Sequence, residues 1–480
     1  MLLLTALVPW LAQPPLVWWP LAFIAAIPLI WIAESGGRSR RMMLGLYAAS
    51  FLYWAVTLQG LRHAHPLIYP CWLALAGYLG LYPIAFVVLL RRTRRWLPLE
   101  IAGPCVWVAM ECLRNYLLTG LSAVMLGHTL ADVPVLIQIA DIGGTYAVSG
   151  KLVIANVGLY RIGSYRRVPL RALPAVALAL AVLSAAFGYG RNRMSVTPEP
   201  GATSFALIAR NETVEYVQDE ERQIELYQAY ARQSQQALRE SEQPIDAVVW
   251  PESMFSGDLL WTAGEGSQAL ADREQMTLDQ VKDSLRNSRR SFEARAQALQ
   301  SWLALENGPD QRPPHLVVGC GVIHYGETID PHSGIVHVDP SGSVVDWYAK
   351  MHLVMFGEYV PIVSSIPGIR KLIPGSMGLT PGETAVPMQL NDYRICPNIC
   401  VETAVERVAV NHVRQLLSED RLPNAIVTVT NGGWFDQSSV VQHHKRCAQF
   451  VAVTTRRDVL SAANNGPTAW IDRHGQIVEE

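Results

Sequence analysis

The distribution of hydrophobic residues divides this 480-residue chain into two parts. Up to about residue 190 the sequence is a series of apolar runs with short polar joints, and after Thr197 it becomes mixed and charge-bearing. Most runs approach the about 20 residues that a helix needs to cross the hydrocarbon of a membrane. The runs lie at 2–13, 16–33, 43–60, 70–90, 99–118, 134–158 and 172–189. This pattern predicts a transmembrane bundle of about seven helices over 1–190, a linker over 191–202 and a second domain over 203–480.

The joints between the runs orient the predicted bundle, because cytoplasmic loops of membrane proteins collect Lys and Arg. The arginine-rich joints are every second joint, as alternating crossings require. They contain Arg38, Arg40 and Arg41, then Arg91, Arg92, Arg94 and Arg95, then Arg161, Arg166, Arg167 and Arg171. Seven crossings with a cytoplasmic N-terminus place everything after about residue 190 outside the cytoplasm. A cleaved signal peptide is the alternative for the first run, but residues 1–14 carry no basic segment ahead of the apolar stretch.

Composition supports a membrane protein and argues against other classes. Half of the residues are hydrophobic and 17% are charged, which is more apolar than an ordinary soluble protein of this length. The net charge of -2 and the scattered Lys and Arg residues argue against a nucleic-acid partner. The seven cysteines are an odd set without the even spacing of a disulfide framework, so we expect at least one free thiol.

Two charged residues, Glu111 and Arg114, interrupt the fifth apolar run. Their spacing of three puts them on one helix face, where they can pair and so reduce the cost of placing charge in lipid. A functional role and a purely structural one, in which the pair fixes helix packing, both remain open. Neither residue is included in the predicted catalytic set.

The second part of the chain has the pattern of an α/β domain. Short β-rich runs at 205–208, 247–250, 316–318, 334–338, 344–348, 425–429 and 459–462 alternate with helical stretches such as 219–242. The polar stretch 261–311 is rich in Glu, Arg and Gln and predicts an inserted pair of surface helices.

Three local patterns each place a reactive side chain at the end of an apolar β-like run, the position from which loops present catalytic groups on a rigid sheet. The run 247–250 meets Pro251, which cannot extend a central strand, so Glu252 is expected at the mouth of that strand. Lys350 follows the run 344–348 and opens a loop that contains glycine and proline breakers.

A third reactive side chain, Cys400, lies just before the helix-like stretch 404–417. Backbone N–H groups and the helix dipole favour a thiolate at such a position. Taken singly, these are common structural features: a core cysteine, a solvated lysine, a turn at Glu252. Together they supply a nucleophile, a base for its proton and a cation for the oxyanion, so Glu252, Lys350 and Cys400 are predicted to form a catalytic triad.

Two other candidate sites are better explained structurally. Cys396 has no partner cluster at metal-ligand or redox spacing, so a buried strand thiol is expected. His443 and His444 are adjacent, and adjacent residues point apart on a helix, so a polar helix face is the preferred interpretation. No metal and no organic cofactor are implied.

Over almost its whole length the sequence resembles the nitrilase superfamily and, within it, the apolipoprotein N-acyltransferases. The motifs that carry the resemblance are Trp250-Pro-Glu252, Lys350-x-His-Leu-Val-x-Phe-Gly-Glu358-Tyr-Val-Pro, Gly378-Leu-Thr-Pro-Gly382, Cys400-x-Glu402, Thr428-Val-Thr-Asn431-Gly-Gly-Trp434-Phe435, Asn464-Asn465-Gly466 and, in the first part, Glu111-Cys-Leu-Arg114. The resemblance implies an α-β-β-α sandwich for the second domain. It also implies a multi-pass protein of the bacterial inner membrane, with this domain in the periplasm.

The resemblance assigns roles to individual residues. Glu252 is the general base, Lys350 stabilises the oxyanion and Cys400 is acylated. Glu358 and Glu402 support the site, and Tyr359 and Trp434 are candidates for substrate binding. The implied partners are a phospholipid acyl donor, a diacylated lipoprotein acceptor and the membrane itself.

The implied reaction has two steps. The Cys400 thiolate takes an acyl chain from a phospholipid as a thioester, and the α-amino group of a diacylglyceryl-cysteine lipoprotein then accepts it, in the last step of lipoprotein maturation. Family members usually carry Tyr directly after the nucleophile, where this chain has Val401, and usually end in one further transmembrane helix beyond the position of Glu480. A membrane-tethered amidase or hydrolase, in which water resolves the thioester, is the first alternative. A non-catalytic membrane scaffold is the second.

Overall fold

The computed structural model describes residues 1–36, 39–65, 68–196, 203–214, 220–255, 259–355, 357–359 and 378–480. Each apolar run of the first part forms helix, as predicted. The α-helices here are α1 (Leu4–Ala12), α2 (Ile27–Glu34), α3 (Arg40–Thr57), α4 (Tyr69–Leu79), α5 (Leu81–Thr93), α6 (Leu99–Tyr116), α7 (Pro134–Ile137), α8 (Ala140–Ser164) and α9 (Leu173–Met194). We call α1 to α9 and the segments that connect them the helical bundle. Its interior is a continuous cluster of aliphatic side chains.

Two stretches of the described chain, Tyr69–Thr93 and Pro169–Met194, are long and apolar enough to cross a membrane. The predicted number of seven crossings is therefore not confirmed by helix length and composition, and it stays a prediction. Two of the other helices contain residues that interrupt a long apolar span. Gly143 and Gly144 leave helical geometry inside α8, and α6 carries Glu100 besides the two charged residues noted in the sequence. The last bundle helix, α9, ends at Met194, and residues 197–202 of the predicted linker lie outside the described residues.

Glu111 and Arg114 are both buried on α6, and each is engaged by the segment that follows this helix. Glu111 accepts a hydrogen bond from the backbone N–H of Leu126 at 2.8 Å. Arg114 donates to the carbonyl of Ala123 at 3.2 Å, and its guanidinium lies 5.1 Å from the ring centre of Trp54. These contacts fix the segment between α6 and α7 and correspond to the structural alternative.

The second part forms two six-stranded sheets. Its strands are β1 (Phe205–Leu207), β2 (Ala247–Trp250), β3 (Trp261–Ala263), β4 (His315–Tyr325), β5 (Ile329–Val338), β6 (Val344–Ala349), β7 (Met388–Leu390), β8 (Tyr393–Ile399), β9 (Ala425–Asn431), β10 (Asp458–Asn464), β11 (Ala469–Ile471) and β12 (Ile477–Glu479). The first sheet has the order β1-β2-β4-β5-β6, with β3 paired to β4, and the second has the order β12-β11-β10-β9-β8-β7. In both sheets the central neighbours are parallel: β2 with β4 in the first sheet, and β9 with both β8 and β10 in the second.

The two sheets pack face to face, and helices cover their outer faces. The helices of this part are α10 (Glu220–Glu240), α11 (Gln268–Glu274), α12 (Leu278–Ala304), α13 (Val401–Ala404), α14 (Glu406–Ser418) and α15 (Ser439–Thr455). Val249 and Val317 of the first sheet share a core with Ile395 and Val427 of the second. The outer face of the first sheet packs against α10 and α12, and that of the second against α14 and α15. The result is a four-layer α-β-β-α arrangement, in which strands buried on both faces read as continuous apolar runs.

The stretch 261–311 differs from its prediction as a surface helix pair. It contributes the strand β3, and α12 within it is part of the outer layer rather than an appendage. Phe292 and Leu299 of α12 are buried against the first sheet. The helix begins with a capping box in which Thr277 and Gln280 exchange side-chain to backbone hydrogen bonds. Its polar composition belongs to the solvent side of an amphipathic helix.

One helix of the sandwich, α15, also packs into the helical bundle. Phe450 and Val453 of α15 belong to the same buried cluster as the aliphatic side chains of the bundle. Arg446 donates to the carbonyl of His128 at 2.7 Å, and Gln449 donates to that of Ala131 at 3.1 Å. The bundle and the sandwich therefore share a continuous interface that runs along α15.

Candidate active site

Glu252 lies at the end of β2, as predicted from the proline that precedes it. Its carboxylate is buried and accepts hydrogen bonds from Ser333 at 3.3 Å and from the backbone N–H of Asn431 at 3.2 Å. The adjacent strand β4 has Gly319 beside this turn, where an added Cβ would lie 2.6 Å from the Cα of Glu252. Glycine at 319 is therefore required for the turn to pass so close to its neighbour.

Lys350 follows the last residue of β6 and is fully buried. Its ammonium lies 3.0 Å from Oε1 of Glu252 and 2.5 Å from Oε1 of Glu358. Burial alone would lower the pKa of Lys350, but the carboxylates of Glu252 and Glu358 outweigh it and raise the pKa well above the ordinary value. Lys350 is thus held as a cation between two carboxylates in a site of low dielectric constant.

Cys400 connects β8 to α13 with a backbone conformation of φ 48° and ψ -112°. Its N–H donates to the carbonyl of Val429 at 2.9 Å, continuing the sheet hydrogen bonds. The thiol is half-buried and hydrogen bonds to Glu252. Burial, followed by the charge of Glu252, raises the pKa of the Cys400 thiol, and Lys350 opposes this effect. In the resting site Cys400 is therefore a thiol whose proton is directed at the Glu252 carboxylate.

The two supporting carboxylates have different surroundings. Glu358 contacts Lys350 directly and accepts the backbone N–H of Val354 at 2.7 Å. Glu402 is fully buried and lies two residues beyond Cys400. It accepts hydrogen bonds from Tyr348 at 2.8 Å, from the N–H of Met351 at 2.7 Å, from that of His352 at 3.1 Å and from that of Ile399 at 2.8 Å. Glu402 therefore ties the loop after Lys350 to the strand that leads into Cys400.

The two substrate-binding candidates lie on segments next to the triad. Tyr359 is half-buried and follows Glu358, and Trp434 is half-buried in the short 3-10 helix Gly432–Phe435 that follows Asn431. Their role stays a prediction. Part of the motif around Glu358, at 356 and 360–361, lies outside the described residues.

Several residues of the site were not assigned a role from the sequence. Ser333 and Asn431 hold the Glu252 carboxylate, and Tyr348 holds Glu402. Asn431 lies in one of the motifs that carry the resemblance, so a signal for it existed. Ser333 and Tyr348 gave none, because each is one position in an otherwise structural strand.

The interpretation of His443 and His444 as a polar helix face is wrong. His443 is buried, and the ring of His444 lies with Nε2 2.7 Å from the carbonyl oxygen of Cys400. Both residues are on α15, whose inward side meets the sandwich and the bundle. Cys396, in contrast, is the buried strand thiol that was predicted, and burial raises its pKa to about 12.

The arrangement has the parts needed for acyl transfer through a thioester. Glu252 contacts both the thiol and the cation, so it can take the proton of Cys400 while Lys350 remains charged. Lys350 places an ammonium where it could stabilise the negative charge that would develop on a carbonyl oxygen if Cys400 attacked it. Glu252, Lys350 and Cys400 come from the ends of β2, β6 and β8, so both sheets contribute to one site.

Comparison with known proteins gives one consistent result along the chain. Residues 5–158 match the family model described as apolipoprotein N-acyltransferase N-terminal domain. The apolipoprotein N-acyltransferase of Rhodopirellula baltica is 42% identical over 504 aligned residues, which cover 99% of this chain and 88% of that protein. The one of Geobacter metallireducens is 31% identical, covering 95% of this chain and 82% of that protein.

Solved structures show more distant similarity. An amidase of the nitrilase superfamily from Nesterenkonia is 16% identical with a TM-score of 0.34, covering 58% of this chain and 87% of that chain. A nitrilase-superfamily member from Saccharomyces cerevisiae is 14% identical with a TM-score of 0.36, covering 57% of this chain and 84% of that chain. The α-β-β-α arrangement of this chain is established by the packing of its own sheets and helices.

Proposed function

The chain belongs to the apolipoprotein N-acyltransferase family and is an acyltransferase, and from this premise we propose how its residues carry out the reaction. The acyl donor is a phospholipid, and the acceptor is the N-terminal amine of a diacylglyceryl-cysteine lipoprotein. Cys400 carries the acyl chain between them. The observation that supports this most directly is the contact of one carboxylate, Glu252, with both the Cys400 thiol and the Lys350 ammonium.

In the first step Glu252 takes the proton of Cys400, and the thiolate attacks an ester carbonyl of the phospholipid. The tetrahedral oxyanion is stabilised by the ammonium of Lys350 and by the backbone N–H of Val401, the residue after the nucleophile. Within the described residues, this N–H has no acceptor among the hydrogen bonds of the protein. Collapse of the intermediate breaks the ester bond, and the lysophospholipid leaves as an alcohol that takes the proton from Glu252.

In the second step the α-amino group of the lipoprotein attacks the thioester. Glu252 accepts a proton from the amine as the new C–N bond forms, and the Cys400 sulfur leaves. The proton returns from Glu252 to the sulfur, which restores the resting site. Because the thioester is an activated acyl donor, the amine needs no activation beyond deprotonation.

We further propose that the helical bundle spans the bacterial inner membrane with seven crossings and that the sandwich lies on the periplasmic side. The outer surface of the bundle supports this, because it exposes large apolar side chains on several helices. Examples are Leu44, Leu52, Leu81, Leu180 and Phe187. Large apolar side chains exposed on several helices are expected where a surface contacts lipid or protein. Membrane attachment places the site next to two substrates that are themselves confined to the bilayer.

Acyl transfer by the purified protein in proteoliposomes tests the proposal. Phosphatidylethanolamine with a labelled acyl chain is the donor, and a diacylated lipopeptide with a free N-terminal cysteine is the acceptor. The wild-type protein should transfer label to the peptide amine, and Cys400→Ala should not. Cys396→Ala is the matched control, because this thiol of β8 is buried in the core that packs against α14 and α15, and its loss should leave transfer intact.

The same assay separates the alternatives. With an N-acetylated lipopeptide, the wild-type protein should accumulate label on Cys400 as a thioester. Release of labelled fatty acid without transfer to the free amine would favour a hydrolase. A wild-type protein that never becomes labelled at Cys400 would contradict the mechanism and favour the scaffold.

A further inference from the structure

The backbone of Cys400 is in a conformation that non-glycine residues rarely adopt. Its φ of 48° and ψ of -112° are strained for a residue with a side chain, so surrounding contacts must hold it. On one side, the N–H of Cys400 is held by Val429 of β9 at 2.9 Å. On the other side, the Cys400 carbonyl accepts the N–H of Thr403 at 3.0 Å and Nε2 of His444 at 2.7 Å.

The contact from His444 differs from the contact from Thr403 in its origin. Thr403 lies on α13, the single turn that continues directly from Cys400. Its N–H therefore moves together with the Cys400 backbone when that backbone relaxes. His444 comes from α15, which is held elsewhere by the packing of Phe450 in the bundle core. Because a carbonyl oxygen only accepts, His444 must carry a proton on Nε2 to make this bond. His444 is therefore an external donor that can resist rotation of the Cys400 carbonyl.

The carbonyl that His444 holds belongs to the same planar peptide as the N–H of Val401. In a trans peptide these two groups point in opposite directions, so fixing one fixes the other. We propose that His444 is a positioning residue that sets the plane of the Cys400–Val401 peptide and thereby directs the Val401 N–H at the acyl oxygen. The inference rests on the proposed function, since it assumes that Cys400 is the nucleophile.

Two reactions of the Cys400 thiol distinguish this positioning role from a general role in holding the Cys400 backbone in place. Acylation by phospholipid passes through an oxyanion and needs the Val401 N–H. Alkylation by iodoacetamide forms an S–C bond with loss of iodide, generates no oxyanion and needs only an accessible, reactive sulfur. A variant with a misdirected peptide should therefore be slow in acylation and normal in alkylation.

The variants are His444→Leu, which removes the donor, and His444→Gln, which keeps an N–H donor at similar reach. In the full-length protein in proteoliposomes, His444→Leu should slow thioester formation about 10- to 100-fold, approaching the loss of an oxyanion donor. Its KM for phospholipid and its alkylation rate should stay close to those of the wild type. His444→Gln should recover most of the acylation rate.

His443→Leu is the matched control on the same helix. His443 is buried next to His444, and among the described residues its ring nitrogens have no hydrogen-bond partner, so this variant should acylate like the wild type. Equal loss of acylation and alkylation in His444→Leu would overturn the inference, because it would show that the backbone around Cys400 had lost its conformation and the sulfur its reactivity. Unchanged acylation in His444→Leu would overturn it as well. A wild-type protein that is alkylated but never acylated would instead refute the proposed function, and the inference with it.

Discussion

The carboxylate of Glu406 in the sandwich accepts hydrogen bonds from the backbone N–H of Thr145 in the helical bundle, at 3.2 Å, and from the Thr145 hydroxyl. Thr145 restarts α8 after the break at Gly144, so its N–H is one of those that a helix leaves without an internal partner. Glu406 begins α14, just beyond the short helix that follows Cys400. A residue of the sandwich, six positions after Cys400, thus caps a helix of the bundle.

Removing this cap should weaken the junction between the bundle and the sandwich. Glu406→Ala leaves the Thr145 N–H and hydroxyl without their acceptor, and we expect a loss of about 1–2 kcal/mol in unfolding free energy. Glu406→Gln keeps one acceptor oxygen and should lose less. Thermal unfolding in detergent measures both. Equal stability of Glu406→Ala and the wild type would contradict the capping role.

Gly144 is required at this junction for two reasons. Its φ is +63°, and a Cβ added there would lie 2.4 Å from Oε1 of Glu406. Gly144→Ala should therefore lower the stability by about 1–3 kcal/mol, from backbone strain and displacement of the cap. Gly163 of the same helix is the control, since a Cβ there meets nothing within 4 Å. Gly163→Ala should be neutral or stabilise the helix by up to about 1 kcal/mol. Similar melting temperatures for the two variants would refute this argument.

Lys350 should be needed for both chemistry and stability. Lys350→Met leaves the carboxylates of Glu252 and Glu358 buried without their cation, a change that costs about 3–5 kcal/mol when a buried pair is broken. Thioester formation should fall at least about 100-fold.

A lysine that lies outside the triad and is less buried than Lys350 provides the comparison. Lys445 pairs with the exposed carboxylate of Glu480 at 2.7 Å. Lys445→Met should cost less than about 1 kcal/mol and leave acylation unchanged. Thioester formation at a normal rate in Lys350→Met would remove Lys350 from the mechanism.

The ionisation of Glu402 should make the stability of the protein depend on pH. Burial raises the pKa of this carboxyl to about 7, although the hydrogen bond from Tyr348 lowers it. The pKa of Glu402 in the folded protein lies above its value in the unfolded chain. Its stabilising contribution to the unfolding free energy is therefore complete below the ordinary carboxyl pKa and is lost as pH rises through about 7. Between pH 5 and pH 8 the loss is on the order of 2–3 kcal/mol.

Glu402→Gln removes this titration. The amide of the variant has one acceptor oxygen instead of two for the hydroxyl and three backbone N–H groups that donate to Glu402. The variant should therefore be less stable than the wild type at pH 5. The difference in unfolding free energy between the wild type and Glu402→Gln should narrow by about 2–3 kcal/mol at pH 8. Glu225→Gln, at an exposed position on α10, should follow the wild type at both pH values. Denaturant unfolding at the two pH values measures the gap, and parallel stabilities of wild type and Glu402→Gln would disprove the assignment.

Much of the fold could be predicted because its signals are local. Every apolar run of the first part became helix, and the β-rich runs that end near Glu252 and Lys350 became β2 and β6. The short strands β3, β7, β11 and β12 were not predicted. Three residues each are too few to show an alternating pattern, and each strand forms because it pairs with a neighbouring strand of a sheet.

The residues that could react were predictable from the sequence, because the type of a side chain and its place at the end of a run depend only on nearby residues. Glu252, Lys350 and Cys400 were identified in this way. The tertiary structure alone decided what surrounds them: Asn431 on Glu252, Tyr348 on Glu402, His444 on the Cys400 carbonyl and Glu406 on Thr145. These contacts join segments that are distant in sequence, and they form only because the buried faces of sheets and helices bring those segments together. No local pattern in the chain encodes such an approach.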